Sequence, residues 1–202
     1  MIKTVISDLG RVILFFDNHI FFRKMADHCP YSAEEIAGMV HRYPDLIRIF
    51  DSGKLSPSEF FGRVTGILSA DIDEEPFSSV YSDVFTLNQP VLEIIKRLRP
   101  DYRLVLLSNT DAIRFGFIRR RFPEIFVFDE YVLSYEFGWV KPERRIYLEA
   151  LKLAQAEANE CLFMDDIPEY VEAARELGIR TILYHPGIDL EAELTRQGVL
   201  IS

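Results

Sequence analysis

Four polar stretches stand where chemistry is possible, each at or just beyond the end of an apolar run. Lys3-Thr4-Val5-Ile6-Ser7 leads into Asp8-Leu9-Gly10-Arg11, and Arg103-Leu104-Val105-Leu106-Leu107 leads into Ser108-Asn109-Thr110-Asp111. Cys161-Leu162-Phe163-Met164 ends at Asp165-Asp166, while Lys141 sits a little past the short run Tyr131-Val132-Leu133-Ser134. Short apolar, β-branched runs bounded by glycine or polar residues read as buried strands. In open parallel sheets, ligands bind outside the carboxyl ends of the strands. Asp8 alone has an ordinary reading as a turn-capping aspartate; its company changes the argument. Three carboxylates on one sheet edge raise one another's pKa. A hard divalent ion such as Mg²⁺, bound by a few carboxylates and waters, relieves that crowding. Lys141 and a hydroxyl at a helix N-terminus then complete an anion site. A phosphate group held between the ion, Lys141 and the amides of Ser108-Asn109 suits the set.

The elements that must position these groups follow from the periodicity. From Pro90 onward, helical and strand patterns alternate: a helix over Val91 to Leu98, the strand ending at Ser108, a helix to about Phe122, and the strand at Tyr131–Ser134. A helix past Pro142, the strand ending at Asp165, a helix from Pro168 to Leu177, the strand Arg180–Tyr184 and a helix from about Leu190 to Gln197 complete the order. Such alternation demands right-handed crossovers and a parallel sheet covered on both faces. The expected class is α/β, a Rossmann-like doubly wound parallel sheet built from residues 1–17 and about 89–202. Residues 18–88 carry helical periodicity and no alternating strand pattern, so they read as an inserted module of four or so helices. Ser32-Ala33-Glu34-Glu35 and Ser56-Pro57-Ser58-Glu59 both match the capping-box pattern. Val12–Phe16 reads as a short hairpin or flap beside the first strand.

Composition narrows the function classes. The chain has 202 residues, is 49% hydrophobic and carries a formal net charge of −9, which argues against a general nucleic-acid or anionic-membrane surface. An anionic small substrate stays open, because a metal or lysine inverts the field inside one cleft. Cys29 and Cys161 are isolated, so neither a disulfide framework nor a zinc site is expected. His19, His28, His41 and His185 show no metal spacing. The N-terminus reads as a strand rather than a leader and no window approaches a membrane span, so the expectation is a cytoplasmic protein.

The ordered set Asp8-Leu9-Gly10-Arg11-Val12, Leu107-Ser108-Asn109-Thr110, Val140-Lys141-Pro142 and Phe163-Met164-Asp165-Asp166 resembles the haloacid dehalogenase superfamily, and the inserted helices match the cap those enzymes carry. Arg121-Phe122-Pro123-Glu124-Ile125 and Gly138 to Tyr147 look like the subgroup containing α-D-glucose-1-phosphate phosphatases. The resemblance implies that Asp8 is a nucleophile forming an aspartyl-phosphate. It further implies that Lys141 and the metal offset phosphoryl charge, with Ser108, Asn109 and Lys141 binding the substrate phosphate. Asp166 aligns with the family's metal-binding carboxylate, the Gly10 carbonyl with a backbone ligand, and Asp165 with a group that orients Lys141 or supports Mg²⁺ from behind. Asn109 is expected to act through its backbone N–H.

Two positions depart from the pattern. Gly10 stands where most family phosphatases carry a second Asp as general acid, a role worth roughly 10²–10⁴-fold. A sugar 1-phosphate or an acyl phosphate, with its better leaving group, would ease the loss, and the resembling subgroup also has Gly there. Tyr170 stands where the family has Asp or Asn; Glu169 beside it is either a replacement carboxylate or a solvated helix-start residue favoured by the dipole. Three functions follow: a Mg²⁺-dependent phosphatase acting on a small phosphorylated metabolite such as a sugar phosphate, a metal-independent haloacid dehalogenase, or a non-catalytic binding protein of the same fold.

Overall fold

Strand β1 (Thr4–Ser7) is buried along its whole length because it is hydrogen-bonded on both sides, and a strand covered on both faces has no use for alternation. This is a computed structural model, and it describes residues 1–201. After β1 the chain turns through Arg11, whose φ of 57° is left-handed, into β2 (Leu14–Phe16). Helices α1 (Asn18–Met25), α2 (Ala33–Val40), α3 (Pro44–Asp51), α4 (Pro57–Leu68) and α5 (Glu74–Ser82) follow. Strand β3 (Phe85–Leu87) then returns to pair antiparallel with β2. The rest alternates: α6 (Gln89–Leu98), β4 (Arg103–Ser108), α7 (Ala112–Arg121), β5 (Glu130–Leu133), α8 (Ser134–Phe137), α9 (Arg144–Ala154), β6 (Cys161–Asp165), α10 (Pro168–Arg175), β7 (Arg180–Leu183) and α11 (Leu190–Arg196).

The main sheet is ordered β5-β4-β1-β6-β7, with all four pairings parallel. Successive residues of its strands feed opposite cores. Val5, Leu104, Leu106, Leu162 and Met164 pack with α6, α7 and α11, while Ile6, Val105, Leu107 and Phe163 pack with α9 and Ala174 of α10. The doubly wound α/β expectation therefore holds. The chain runs outward from β1 to β4 and β5, then crosses back to β6 on the other side of β1. That reversal is a topological switch point, where the carboxyl ends of adjacent strands leave a crevice.

The insertion differs from its sequence reading in two ways. It holds five α-helices rather than four or so, and it closes on β3, where no strand pattern is visible. Three residues carry too little periodicity to read, and the partner strand lies about seventy positions upstream (Leu14 opposite Leu87, Phe16 opposite Phe85). The flap is thus half of a ribbon that joins both ends of the insertion. Val12 and Ile13 drop into the sheet's own core instead of extending the strand. Both expected capping boxes form, Ser32 with Glu35 and Ser56 with Glu59. The helices enclose a separate aromatic core, in which Phe50 and Phe60 stack at 4.0 Å. Among the described residues, no helix is long and apolar enough to cross a membrane.

At one turn the insertion presses closely on the core. Gly53, between α3 and α4, has φ +67° and packs so closely that a Cβ there would lie 2.1 Å from the Tyr135 carbonyl oxygen of α8. Only glycine meets both demands.

Candidate active site

Asp8 follows β1, Asp165 ends β6, and Asp166 begins the turn into α10, so adjacent strands deliver three carboxylates to the switch-point crevice. Each offers an oxygen within 4.8 Å of the others. Lys141 arrives from the loop before α9 and is buried with them. Its Nζ donates to Asp8 Oδ1 and to Asp165 Oδ2, both at 2.5 Å. Burial alone would push this ammonium down, but the two carboxylates outweigh it and hold it above the usual lysine range. Burial pushes Asp8 up, with Lys141 opposing and Asp165 adding to the rise. Asp166 is also raised, by burial first and by Asp165 next.

The hydrogen bonds divide the carboxylates by task. Asp165 is spent: Oδ2 holds Lys141 and Oδ1 accepts from the Ile167 N–H. Asp8 has one oxygen committed to Lys141, and its Oδ2 lies on the side facing Gly10. Asp166 is half-buried and opens onto a 410 Å³ cavity together with Asp8, Gly10, Asn109 and Lys141. Three carboxylates against one buried ammonium leave an excess of negative charge and free hard oxygen donors. That donor set fits a small divalent cation such as Mg²⁺, with Asp8 Oδ2 and Asp166 better placed than Asp165 to bind it.

The Asn109 side chain has a role that the sequence reading, which concerned its backbone N–H, did not include. Its side chain grips the Lys141 backbone twice, accepting from Lys141 N–H at 2.7 Å and donating to the Lys141 carbonyl at 3.0 Å. Its expected backbone role was read from helix-start chemistry, which cannot reveal a partner 32 residues away. Ser108 is buried, its hydroxyl 3.4 Å from the Asn109 carbonyl, and it lines a neighbouring cavity rather than the one containing Asp8. Glu169 is exposed on the first turn of α10 and lies outside the carboxylate group. Tyr170, noticed in the sequence only as a departure, is part of the site. Its ring lies 5.1 Å from Lys141 Nζ, opposite Phe163 at 5.6 Å, and its hydroxyl is 3.5 Å from Asn109 Nδ2. Arg11 and Phe16 also line the cavity; only the fold brings them there. Of the basic residues in the insertion, Arg48 pairs with Glu143 at 3.1 Å, and Lys54 lines a separate outer groove with it.

No protein-family model matches the chain. It is 26% identical over 202 residues to the D-ribitol-5-phosphate phosphatase of Bacteroides thetaiotaomicron, with 96% of this chain and 98% of that one covered. A HAD-like family hydrolase structure from Porphyromonas gingivalis superposes with a TM-score of 0.83 at 26% identity, covering 97% of each chain. In sequence and fold the chain is thus similar to hydrolases of the haloacid dehalogenase (HAD) family. A HAD family enzyme from Bacteroides thetaiotaomicron, solved with magnesium and inorganic phosphate, shares the fold at a TM-score of 0.83 and 23% identity over 96% of this chain and 99% of that one. Within the HAD fold, the switch-point crevice described above is where Asp8, Lys141 and Asp166 meet.

Proposed function

We propose that the protein is a Mg²⁺-dependent phosphatase that hydrolyses a small phosphorylated metabolite, a sugar phosphate, through an aspartyl-phosphate on Asp8. The observation that carries this reading is Lys141 Nζ, buried 2.5 Å from both Asp8 and Asp165 at the rim of the cavity that Asp166 also lines. The relative that acts on D-ribitol 5-phosphate and the related fold solved with magnesium and phosphate support it.

In this reading the Asp8 carboxylate attacks phosphorus, the bond from phosphorus to the ester oxygen breaks, and the leaving alcohol takes up a proton. Water then attacks the acyl phosphate at phosphorus, releasing inorganic phosphate and restoring the Asp8 carboxylate. Splitting the displacement in two lowers each barrier. Lys141 aligns Asp8 and neutralises phosphoryl oxygens, and the Ser108-Asn109 amides complete the cradle. Mg²⁺, held by Asp8, Asp166 and the Gly10 carbonyl, would supply further positive charge at the phosphoryl group. Gly10 brings no general acid, so the reading favours substrates with a good leaving group. Isolated cysteines and a soluble metabolite support a cytoplasmic location.

The HAD-fold dehalogenase alternative needs no metal and leaves the crowding of Asp8, Asp165 and Asp166 without a purpose. A binding protein with no turnover leaves the buried lysine and its carboxylate cluster equally idle. Hydrolysis of p-nitrophenyl phosphate and a panel of sugar phosphates, with Mg²⁺ and with EDTA, tests the proposal. Mg²⁺-dependent turnover abolished by Asp8→Asn is expected; chloride release from haloacetate in EDTA would overturn it.

A further inference from the structure

A second cavity, of 260 Å³, adjoins the first and shares Gly10, Phe16 and Asn109 with it. Its far side carries Asn18, Asp51 and Arg114. Asp51 is the last residue of α3, two positions before the Gly53 turn that seats the insertion on α8, so the seam itself aims this carboxylate toward the sheet edge.

The polar groups around this cavity are unequally satisfied. Both Asp111 oxygens are engaged, accepting from the Ile113 and Arg114 N–H groups and from the Tyr81 hydroxyl. Among the described residues, the Asp51 carboxylate accepts no hydrogen bond. Arg114 lies over the Tyr81 ring at 4.2 Å, and among the described residues its side chain donates once, from Nη2 to Asn18 Oδ1 at 3.0 Å. Its Nε is buried with no partner. A guanidinium has five N–H donors and a carboxylate about four acceptor positions, so both walls keep unspent capacity toward one space beside the nucleophile.

We infer that Asp51 and Arg114 form a hydroxyl-reading subsite for the leaving group, selecting an uncharged polyhydroxy chain, a polyol or sugar, as the part of the substrate that extends beyond the phosphate. An alcohol is the group that satisfies both sides together: its O–H donates to Asp51 while its oxygen accepts from Arg114. A carboxylate in the same place meets Asp51 and Asp111 against one guanidinium, and an alkyl chain leaves donor and acceptor unpaired after displacing their water. The inference rests on the phosphatase reading and adds the class of leaving group and the residues that read it.

The test compares kcat/KM for D-ribitol 5-phosphate and glucose 1-phosphate with that for n-pentyl phosphate, in wild type, Asp51→Ala and Asp51→Asn, at saturating Mg²⁺ and at pH 8, where Asp51 is ionised. The wild-type enzyme should favour the better hydroxylated substrate over n-pentyl phosphate. In Asp51→Ala that ratio should fall roughly 10- to 100-fold, the size of a lost hydrogen bond to a charged group, mainly through KM. Asp51→Asn, which keeps the shape and an accepting carbonyl, should recover part of it. An unchanged ratio, whether both substrates lose equally or neither does, overturns the subsite and leaves the phosphatase reading standing. So does a wild-type preference for n-pentyl phosphate. Wild-type failure on every phosphate ester removes the phosphatase reading, and the subsite with it.

Discussion

The Asn109 side chain clasps the Lys141 backbone from both sides, at 2.7 Å and 3.0 Å, and so fixes the root of the lysine whose tip joins Asp8 to Asp165. A long, flexible side chain holds its head group in register only if its backbone is held first. Asn109 provides that hold from within the chain, at the wall of the cavity itself. Asn109→Ala should lower kcat on p-nitrophenyl phosphate roughly 10- to 100-fold, the usual range when a supporting hydrogen bond to a site residue is lost. Asn109→Asp, which keeps the acceptor and loses the donor, should fall between. Steady-state kinetics beside a thermal melt checks this: a loss of kcat no larger than the lost fraction folded would show that the clasp does not position Lys141.

Metal dependence separates Asp166 from Glu169. Asp166 shares the cavity with Asp8, whereas Glu169 is exposed and belongs to no group of carboxylates. EDTA should abolish turnover and Mg²⁺ should restore it. Asp166→Ala should raise the Mg²⁺ concentration for half-activation by at least about 10-fold, while Glu169→Ala should leave it within about twofold. A large effect of Glu169→Ala in a Mg²⁺ titration would mean that α10 turns its first residues inward.

What could be read from the sequence was what burial writes into it. β1, β4 and β6 are covered on both faces, so each appears as an unbroken apolar run, and the polar residue ending each run marks the sheet edge. Asp8, Asp165 and Asp166 were legible for that reason, and Lys141 through its place in the ordered motif set. β3 was not, because three residues between helices carry no period. The Asn109 clasp and the Tyr170 ring beside Lys141 depend on loops meeting across distant sequence. Asp51 has no local signal either, since nothing in Asp51-Ser52-Gly53-Lys54 says that Gly53 will press this turn onto the Tyr135 carbonyl.

That pressed turn makes its own prediction. In Gly53→Ala the new methyl meets a backbone oxygen that cannot rotate away, at a φ of +67° where an L-residue is strained. The two costs, left-handed strain and overpacking, sum to about 2–4 kcal/mol. Gly62→Ala is the matched control: it lies inside α4 with nothing within 4 Å of its Cβ, so it should stabilise by about 0.5–1 kcal/mol through helix propensity alone. Urea midpoints of the two variants should move in opposite directions. A Gly53→Ala midpoint equal to wild type would show that the seam yields freely.

Asp51 should leave a mark on stability as a function of pH. Burial pushes its carboxyl from 3.8 to about 7, the Asp111 carboxylate adds to the rise, and Arg114 opposes it. Asp111 and Arg114 come from α7, and the Tyr81 hydroxyl from α5 faces the same group. A raised carboxyl keeps its proton in the folded state at pH values where the unfolded chain has already lost it. Between about pH 4 and pH 7 the folded protein therefore binds more protons, and this group's contribution declines as the pH rises through that window. Above it, the folded state carries the full cost of a charge it disfavours. Asp51→Asn, neutral throughout, should be more stable than wild type at pH 8, by on the order of 1–3 kcal/mol after discounting for partial solvent contact. That gain should appear as a rise of several degrees in Tm, narrowing toward zero near pH 4. Asp111 is raised in the same direction by its own burial, but it also caps α7, so only the Asp51 substitution removes a charge without removing a cap. A difference between wild type and Asp51→Asn that stays constant from pH 4 to pH 8 would mean that this carboxylate is as well solvated in the fold as outside it.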